Sequence, residues 1–131
     1  MKDALKDALT IALRAVDDKK AADIVVLDIS GVATFANYFL ICSGDSSRQI
    51  HAVVDEVEQK LESIGLRPTH IEGYRHAEWV LMDYIDLVVH VFSKGARAYY
   101  DLERLWRDGK KIDVEKLLES PPVRKGSRKT G

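Results

Sequence analysis

The 131-residue chain has one cysteine, three prolines and no apolar stretch approaching the roughly 20 residues that span a bilayer. Each scarcity narrows the field. A lone cysteine forbids an internal disulfide. Cys42 stands in the apolar run Tyr38-Phe39-Leu40-Ile41-Cys42, which marks it as a buried structural thiol suited to a reducing cytosol. The start, Met1-Lys2-Asp3-Ala4, carries no apolar signal core before its next charges. A cytoplasmic protein without membrane contact is therefore expected. Its length lets one domain bury about two-thirds of the surface the unfolded chain exposes, so no disulfide or metal staple is required.

Catalytic patterns are equally scarce. His51, His70, His76 and His90 show neither the i, i+4 helical pair nor a C-x-x-C partner, so neither a metal nor a cofactor is expected. His90, inside Val88-Val89-His90-Val91-Phe92, reads as a hydrogen-bonded strand residue. Cys42 and His90 lack an identifiable third group or oxyanion site. The loop Ser43-Gly44-Asp45-Ser46-Ser47-Arg48 lies between a strand and a helix, where backbone N–H groups can hold an anion. It lacks both G-x-x-x-x-G-K-[ST] and G-x-G-x-x-G, and Asp45 sets a negative charge where a phosphate would sit. Metal-assisted nucleotidyl transfer also needs paired carboxylates. Asp55 and Glu56 are helical neighbours about 100° apart, and Asp83 and Asp86 flank a bend. The expectation is a protein without catalytic residues. The alternative is a nucleotide-binding or nucleotidyl-transferring domain using Ser43 to Arg48, which ATP or CTP with Mg²⁺ would stabilise by mass action.

Charge is near balance overall but unevenly distributed. From Ser120 onward there are four basic residues, Arg124, Lys125, Arg128 and Lys129, and no acids, leaving 16 basic against 21 acidic, or −5, in residues 1–119. An acidic body is a poor phosphate binder and a good match for a basic protein.

Leu5, Leu9, Ala12 and Val16 recur at helical spacing and predict an amphipathic helix over residues 2–18. Ile24–Leu27 and Phe39–Ile41 are predicted interior strands. Ile50, Val53, Val54, Val57, Leu61 and Ile64 mark a second helix, with Ser46 and Gln49 as its capping box and Gly65 as its left-handed end. Residues 69–72 suit a short strand, and Glu78–Tyr84 with Leu87–Phe92 a hairpin. In its first arm Trp79, Leu81 and Asp83 share one face, and Val80, Met82 and Tyr84 the other. A third helix near Ala96 is expected to present Tyr99, Leu102 and Trp106 on one stripe, and residues 112–118 a last helical turn. Pro121-Pro122 ends regular structure, leaving residues 120–131 as a disordered basic tail after a domain at 1–119. The fold class is α/β (α+β), a mixed β-sheet flanked by helices.

The most informative stretch is 78–106, EWVLMDYIDLVVHVFSKGARAYYDLERLW, which sets two tryptophans and many carboxylates beside two apolar strands without a catalytic set. With DIVVLDISGVATFANYFLICSGDSSRQI at 23–50, it resembles the ribosomal silencing factor (RsfS or Iojap) family from about Asp23 to Trp106. The resemblance implies a nucleotidyltransferase-like fold without the transferase active site. It implies docking on the large ribosomal subunit through its protein fourteen, so that small-subunit joining is blocked and translation is repressed under nutrient limitation. It assigns partner binding to Trp79, Leu81, Asp83 and Tyr84. Asp86, and Asp101 and Glu103 of Tyr99-Tyr100-Asp101-Leu102-Glu103-Arg104-Leu105-Trp106, join them as rim charges. Ile85 stands at a bend where glycine is common in the family. A β-branched residue disfavours positive φ, so a bend wider than a two-residue primed turn is expected. A minor ribosomal RNA contact by the tail is a further expectation, and an aromatic patch of this kind suits pairing of the free protein with itself.

Overall fold

The computed structural model describes residues 2–119. Its elements are α1 (Lys2–Asp18), β1 (Ala22–Asp28), β2 (Tyr38–Gly44), α2 (Ser47–Glu62), β3 (His70–Glu72), β4 (Trp79–Asp83), β5 (Leu87–Ser93), α3 (Lys94–Tyr100), α4 (Leu102–Leu105), β6 (Lys110–Ile112) and α5 (Val114–Leu118). The strands form one mixed sheet in the order β3-β4-β5-β2-β1-β6. Only β2 and β5 run parallel; the other neighbours are antiparallel. The expected mixed sheet with flanking helices is the observed architecture. The expected disordered tail lies outside the described residues.

The two long helices form where the apolar spacing predicts them. Ser46 caps α2, its side chain accepting from the Gln49 N–H at 3.1 Å. The return arm of the capping box is displaced by one residue: Gln49 Oε1 accepts from the Asp45 N–H at 2.7 Å. Gln49 Nε2 then donates to the Lys19 and Lys20 carbonyls, tying the start of α2 to the end of α1. Gly65, at φ +86°, ends the helix, with the Leu66 N–H bonded back to the Leu61 carbonyl.

These helices cover one sheet face. Val26, Leu40, Cys42, Val80, Met82, Tyr84, Leu87, Val89 and Val91 point into that layer and meet Leu9, Leu13 and Val16 of α1 and Val53, Val54, Val57 and Leu61 of α2. Burial there pushes the Cys42 thiol up to about 12, consistent with an inert packing residue.

The other face carries Leu27, Phe39, Ile41, Val88 and Phe92. It is roofed by Ile29 and Ala36 from the β1–β2 connection and by Ala96 and Leu102 from α3 and α4. These short pieces cover the middle of the sheet and leave β4 half open. β6 was not anticipated, since Lys110-Lys111-Ile112 offers one apolar residue in three; it forms by pairing with Val26–Asp28.

Candidate functional site

The alternation expected for β4 is present. Trp79, Leu81 and Asp83 are half-buried on the thinly roofed face, while Val80, Met82 and Tyr84 are buried on the helical face. The same geometry corrects the assignment of Tyr84 to a docking surface. It is 8% exposed within the α1–α2 core, burial pushes its hydroxyl pKa up, and its oxygen has no hydrogen-bond partner. A partner on the Trp79 side cannot reach it.

Trp79 stands opposite Phe92 in the register, and His90, opposite Leu81, is its diagonal neighbour. The indole ring lies 5.0 Å from Phe92 and 4.8 Å from Tyr100, centroid to centroid. Its Nε1–H donates to His90 Nδ1 at 3.1 Å. His90 is 3% exposed, with Phe39 at 4.5 Å in an edge-on arrangement and Phe92 stacked at 6.3 Å. Burial pulls its pKa down to about 3, so the ring is neutral near pH 7. Because Nδ1 accepts, the ring hydrogen sits on Nε2, which is buried and has no partner. Such an orphaned donor costs about 1–3 kcal/mol.

The acids lie towards both ends of this face. Asp83 Oδ1 accepts from the Ile85 N–H at 2.8 Å, and Asp83 Oδ2 lies 3.8 Å from His70 Nε2. Asp86 is exposed, and its backbone carbonyl accepts from the Asn37 and Tyr38 N–H groups, fixing the bend beside the start of β2. The bend itself is tight, contrary to expectation. Ile85 adopts φ +74°, the Asp86 N–H bonds to the Tyr84 carbonyl, and the Tyr84 N–H bonds to the Leu87 carbonyl. The Asp83 carboxylate and two backbone hydrogen bonds hold a β-branched residue in a region it normally avoids.

The expected single third helix is broken. Asp101, at φ +49°, ends α3 and precedes α4, so Tyr99, Leu102 and Trp106 share no continuous stripe. Leu102 is core. Tyr99 is 81% exposed, and Trp106 packs edge-on to Phe35 at 5.5 Å and to Phe39 at 5.6 Å. Glu103 is also committed within the fold. It takes a two-pronged bond from Arg97, with Nε to Oε1 at 3.1 Å and Nη2 to Oε2 at 3.0 Å, and Arg97 Nη1 reaches Ser43 Oγ at 2.8 Å. Glu103 therefore clamps α4 to α3 and β2, and Asp101 alone of this pair remains an exposed rim charge. Sequence reasoning missed Phe35, Tyr100 and Leu105 as exposed apolar groups beside the site. Only the turn character of residues 30–34 could have hinted at Phe35.

Gly44, Asp45, Ser46 and Ser47 of the Ser43–Arg48 loop line a cleft of about 350 Å³ with Ile50, His76, Ala77, Glu78, Ser93, Lys94 and Gly95. It sits at the carboxyl ends of the parallel β2 and β5, from which α2 and α3 leave on opposite faces. Ligands in open α/β sheets favour that position. Several polar groups of the loop and the cleft are already engaged within the fold. Ser43 takes the Arg97 bond, Ser46 caps α2, Ser93 caps α3, and Lys94 Nζ lies 2.8 Å from Asp45 Oδ1. Among the described residues no group of three or more His, Cys, Asp or Glu is placed to hold a metal ion, and no helix is long and apolar enough to cross a membrane.

A mixed six-stranded sheet with helices packed on it places the chain among α+β domains. The model of the family described as ribosomal silencing factor during starvation matches residues 2–131, and the chain belongs to that family. A ribosomal silencing factor of Bacillus subtilis is 44% identical over 110 residues, covering 84% of this chain and 93% of that protein. A crystal structure of a Chromobacterium violaceum protein superposes with a TM-score of 0.75 at 34% identity, covering 92% of this chain and 96% of that one. A mouse protein named mitochondrial assembly of ribosomal large subunit protein 1 is 31% identical over 103 residues, 76% of this chain and 44% of that protein.

Proposed function

We propose that this chain is a cytoplasmic ribosomal silencing factor that acts by occupancy. The β4 face docks on protein fourteen of the large ribosomal subunit, and the bound factor stands where the small subunit would approach. No bond is made or broken, so affinity alone is required. The observation that carries the reading is Trp79: a half-buried indole with a fixed hydrogen bond, on the thinly covered sheet face, with Asp83 and Asp86 at one end and Asp101 beyond Tyr100 at the other. Aromatic anchors ringed by polar groups supply most of the energy of protein interfaces. A standard interface of roughly 1,600 Å² suffices. The net −5 of residues 1–119 favours a basic ribosomal protein as partner. Membership in the silencing-factor family supports the role, and the mouse relative's name supports the large subunit.

Leu81 belongs to the same surface, whereas Tyr84 and Glu103 serve the fold. The basic tail makes at most a minor contact with ribosomal RNA, and the free protein can pair with itself through the uncovered aromatic face. Sedimentation with purified subunits tests the proposal: the protein pellets with large subunits, remains in the supernatant with small ones, and lowers the yield of joined ribosomes when added first. Pelleting with small subunits alone would overturn it.

A further inference from the structure

The fixed orientation of Trp79 depends on one buried partner. His90 Nδ1 is the acceptor for the indole N–H, and His90 is sealed among Phe39, Phe92 and Trp79 itself. The side chains stacked and packed on that ring, Phe39, Phe92 and Trp79, are all aromatic. A phenylalanine at 90 would match this lining and would leave no orphaned donor at Nε2. A histidine that keeps an unsatisfied N–H in an aromatic pocket calls for a reason, and the one bond it makes goes to the indole that faces outward. We propose that His90 is a positioning residue for the Trp79 anchor, holding the indole plane in the orientation that a docking partner meets. The inference rests on the docking proposal above for its consequence in binding, but not for its geometry.

The geometry explains why the anchor needs such a brace. Tyr100, on one side of the indole, is itself 48% exposed and is the last residue of a seven-residue helix capped by a left-handed Asp101. Leu81, next on the same face of β4, is half-buried. Packing thus confines the ring from Phe92 and only loosely from the solvent side. The hydrogen bond to His90 selects one rotation of the ring, and the desolvated imidazole supplies that bond without competition from water. Pre-organisation of this kind lowers the side-chain entropy lost on association.

The test uses the ¹⁵N-labelled full chain, with the Trp79 indole resonance assigned by its loss in Trp79→Phe. His90→Phe removes the acceptor while keeping an aromatic ring in the pocket. His90→Asn places its Oδ1 near the position of Nδ1. The expected result is that His90→Phe speeds solvent exchange of the Trp79 indole hydrogen and weakens pelleting with large subunits, each by roughly tenfold, the factor typical of one lost hydrogen bond. His90→Asn restores both in large part, which separates acceptor chemistry from filling of the pocket. Urea titration confirms that each variant is folded, and His90→Leu replaces His90→Phe if the latter is not.

Unchanged indole exchange in the apolar variant overturns the proposal, whatever the ribosome result. Faster exchange with wild-type pelleting also overturns it, provided that Trp79→Ala has lost pelleting. If Trp79→Ala pellets normally, the docking proposal fails instead, and the exchange comparison alone then supports or overturns the positioning of Trp79 by His90.

Discussion

The two faces of the sheet are built from the same strands and solve different problems. On one, α1 and α2 lay an aliphatic layer over Leu40, Cys42, Val80, Met82, Val89 and Val91, all fully buried. On the other, the covering pieces are the connection after β1, a seven-residue helix and a four-residue helix, and the residues beneath them mix aliphatic side chains with the aromatic Phe39, Phe92 and Trp79. The first face is a core in the ordinary sense. The second is a core in the middle and a surface at β4, where Trp79 and Leu81 remain half-covered. Stability should therefore be concentrated on one side of the molecule and recognition on the other.

Paired truncations test this division most forcefully. Leu40→Ala empties a fully buried site on the central strand β2 and should cost about 2–5 kcal/mol of unfolding free energy. Leu81→Ala, on the open face, should cost about 1 kcal/mol or less in urea titrations while weakening large-subunit binding by more than the folded fraction explains. Equal stability losses would erase the distinction.

Acid titration gives a second contrast, specific to His90. Its pKa is lowered from 6.5 to about 3 in the fold, so between those values the unfolded chain binds the extra proton. The stability that the neutral ring contributes is complete above pH 6.5 and is lost as pH falls towards 3, with a slope of at most about 1.4 kcal/mol per pH unit. Denaturation curves from pH 7 to 4 should accordingly be shallower in pH for His90→Phe than for the wild type. Parallel curves would mean that the ring titrates alike in both states.

A charge change at the rim should do less. Asp83→Lys is expected to reduce large-subunit binding about tenfold at low salt and by a smaller factor at moderate salt, because exposed charges are screened. Binding unaffected at both would remove Asp83 from the contact. The smallest effect belongs to the bend. Ile85→Gly relieves a left-handed strain of about 1–2 kcal/mol but adds about 0.5–1 kcal/mol of chain entropy, for a net stabilisation of about 0.5–1 kcal/mol. Destabilisation instead would show that the isoleucine side chain contributes packing at this turn.

Legibility in the sequence follows the same division. Helix α2 could be read end to end because Ile50, Val53, Val54, Val57 and Leu61 supply the period, Ser46 the cap and Gly65 the stop, all within one local stretch. The alternation along β4 was legible for the same reason. What escaped depends on parts of the chain far apart or on backbone choices that composition does not announce. The Trp79 to His90 bond needs the register of β4 on β5 before the two residues become diagonal neighbours. The break at Asp101 and the tight bend at Ile85 put non-glycine residues at positive φ, where turn rules look for glycine. Glu103 read as a rim charge because nothing local reveals that Arg97, itself bonded to Ser43, reaches it. Tyr84, itself part of the expected site, adjoins Asp83 in sequence and lies on the opposite face in space.

The central claim is that the Trp79 side of the sheet is a docking surface, and its most direct test is co-sedimentation of Trp79→Ala with purified large subunits, with circular dichroism as the check on folding. Loss of an interface anchor of this type typically costs about 2–4 kcal/mol, so the account predicts a folded variant that stays in the supernatant at concentrations where the wild type pellets. A folded Trp79→Ala that pellets like the wild type would contradict it.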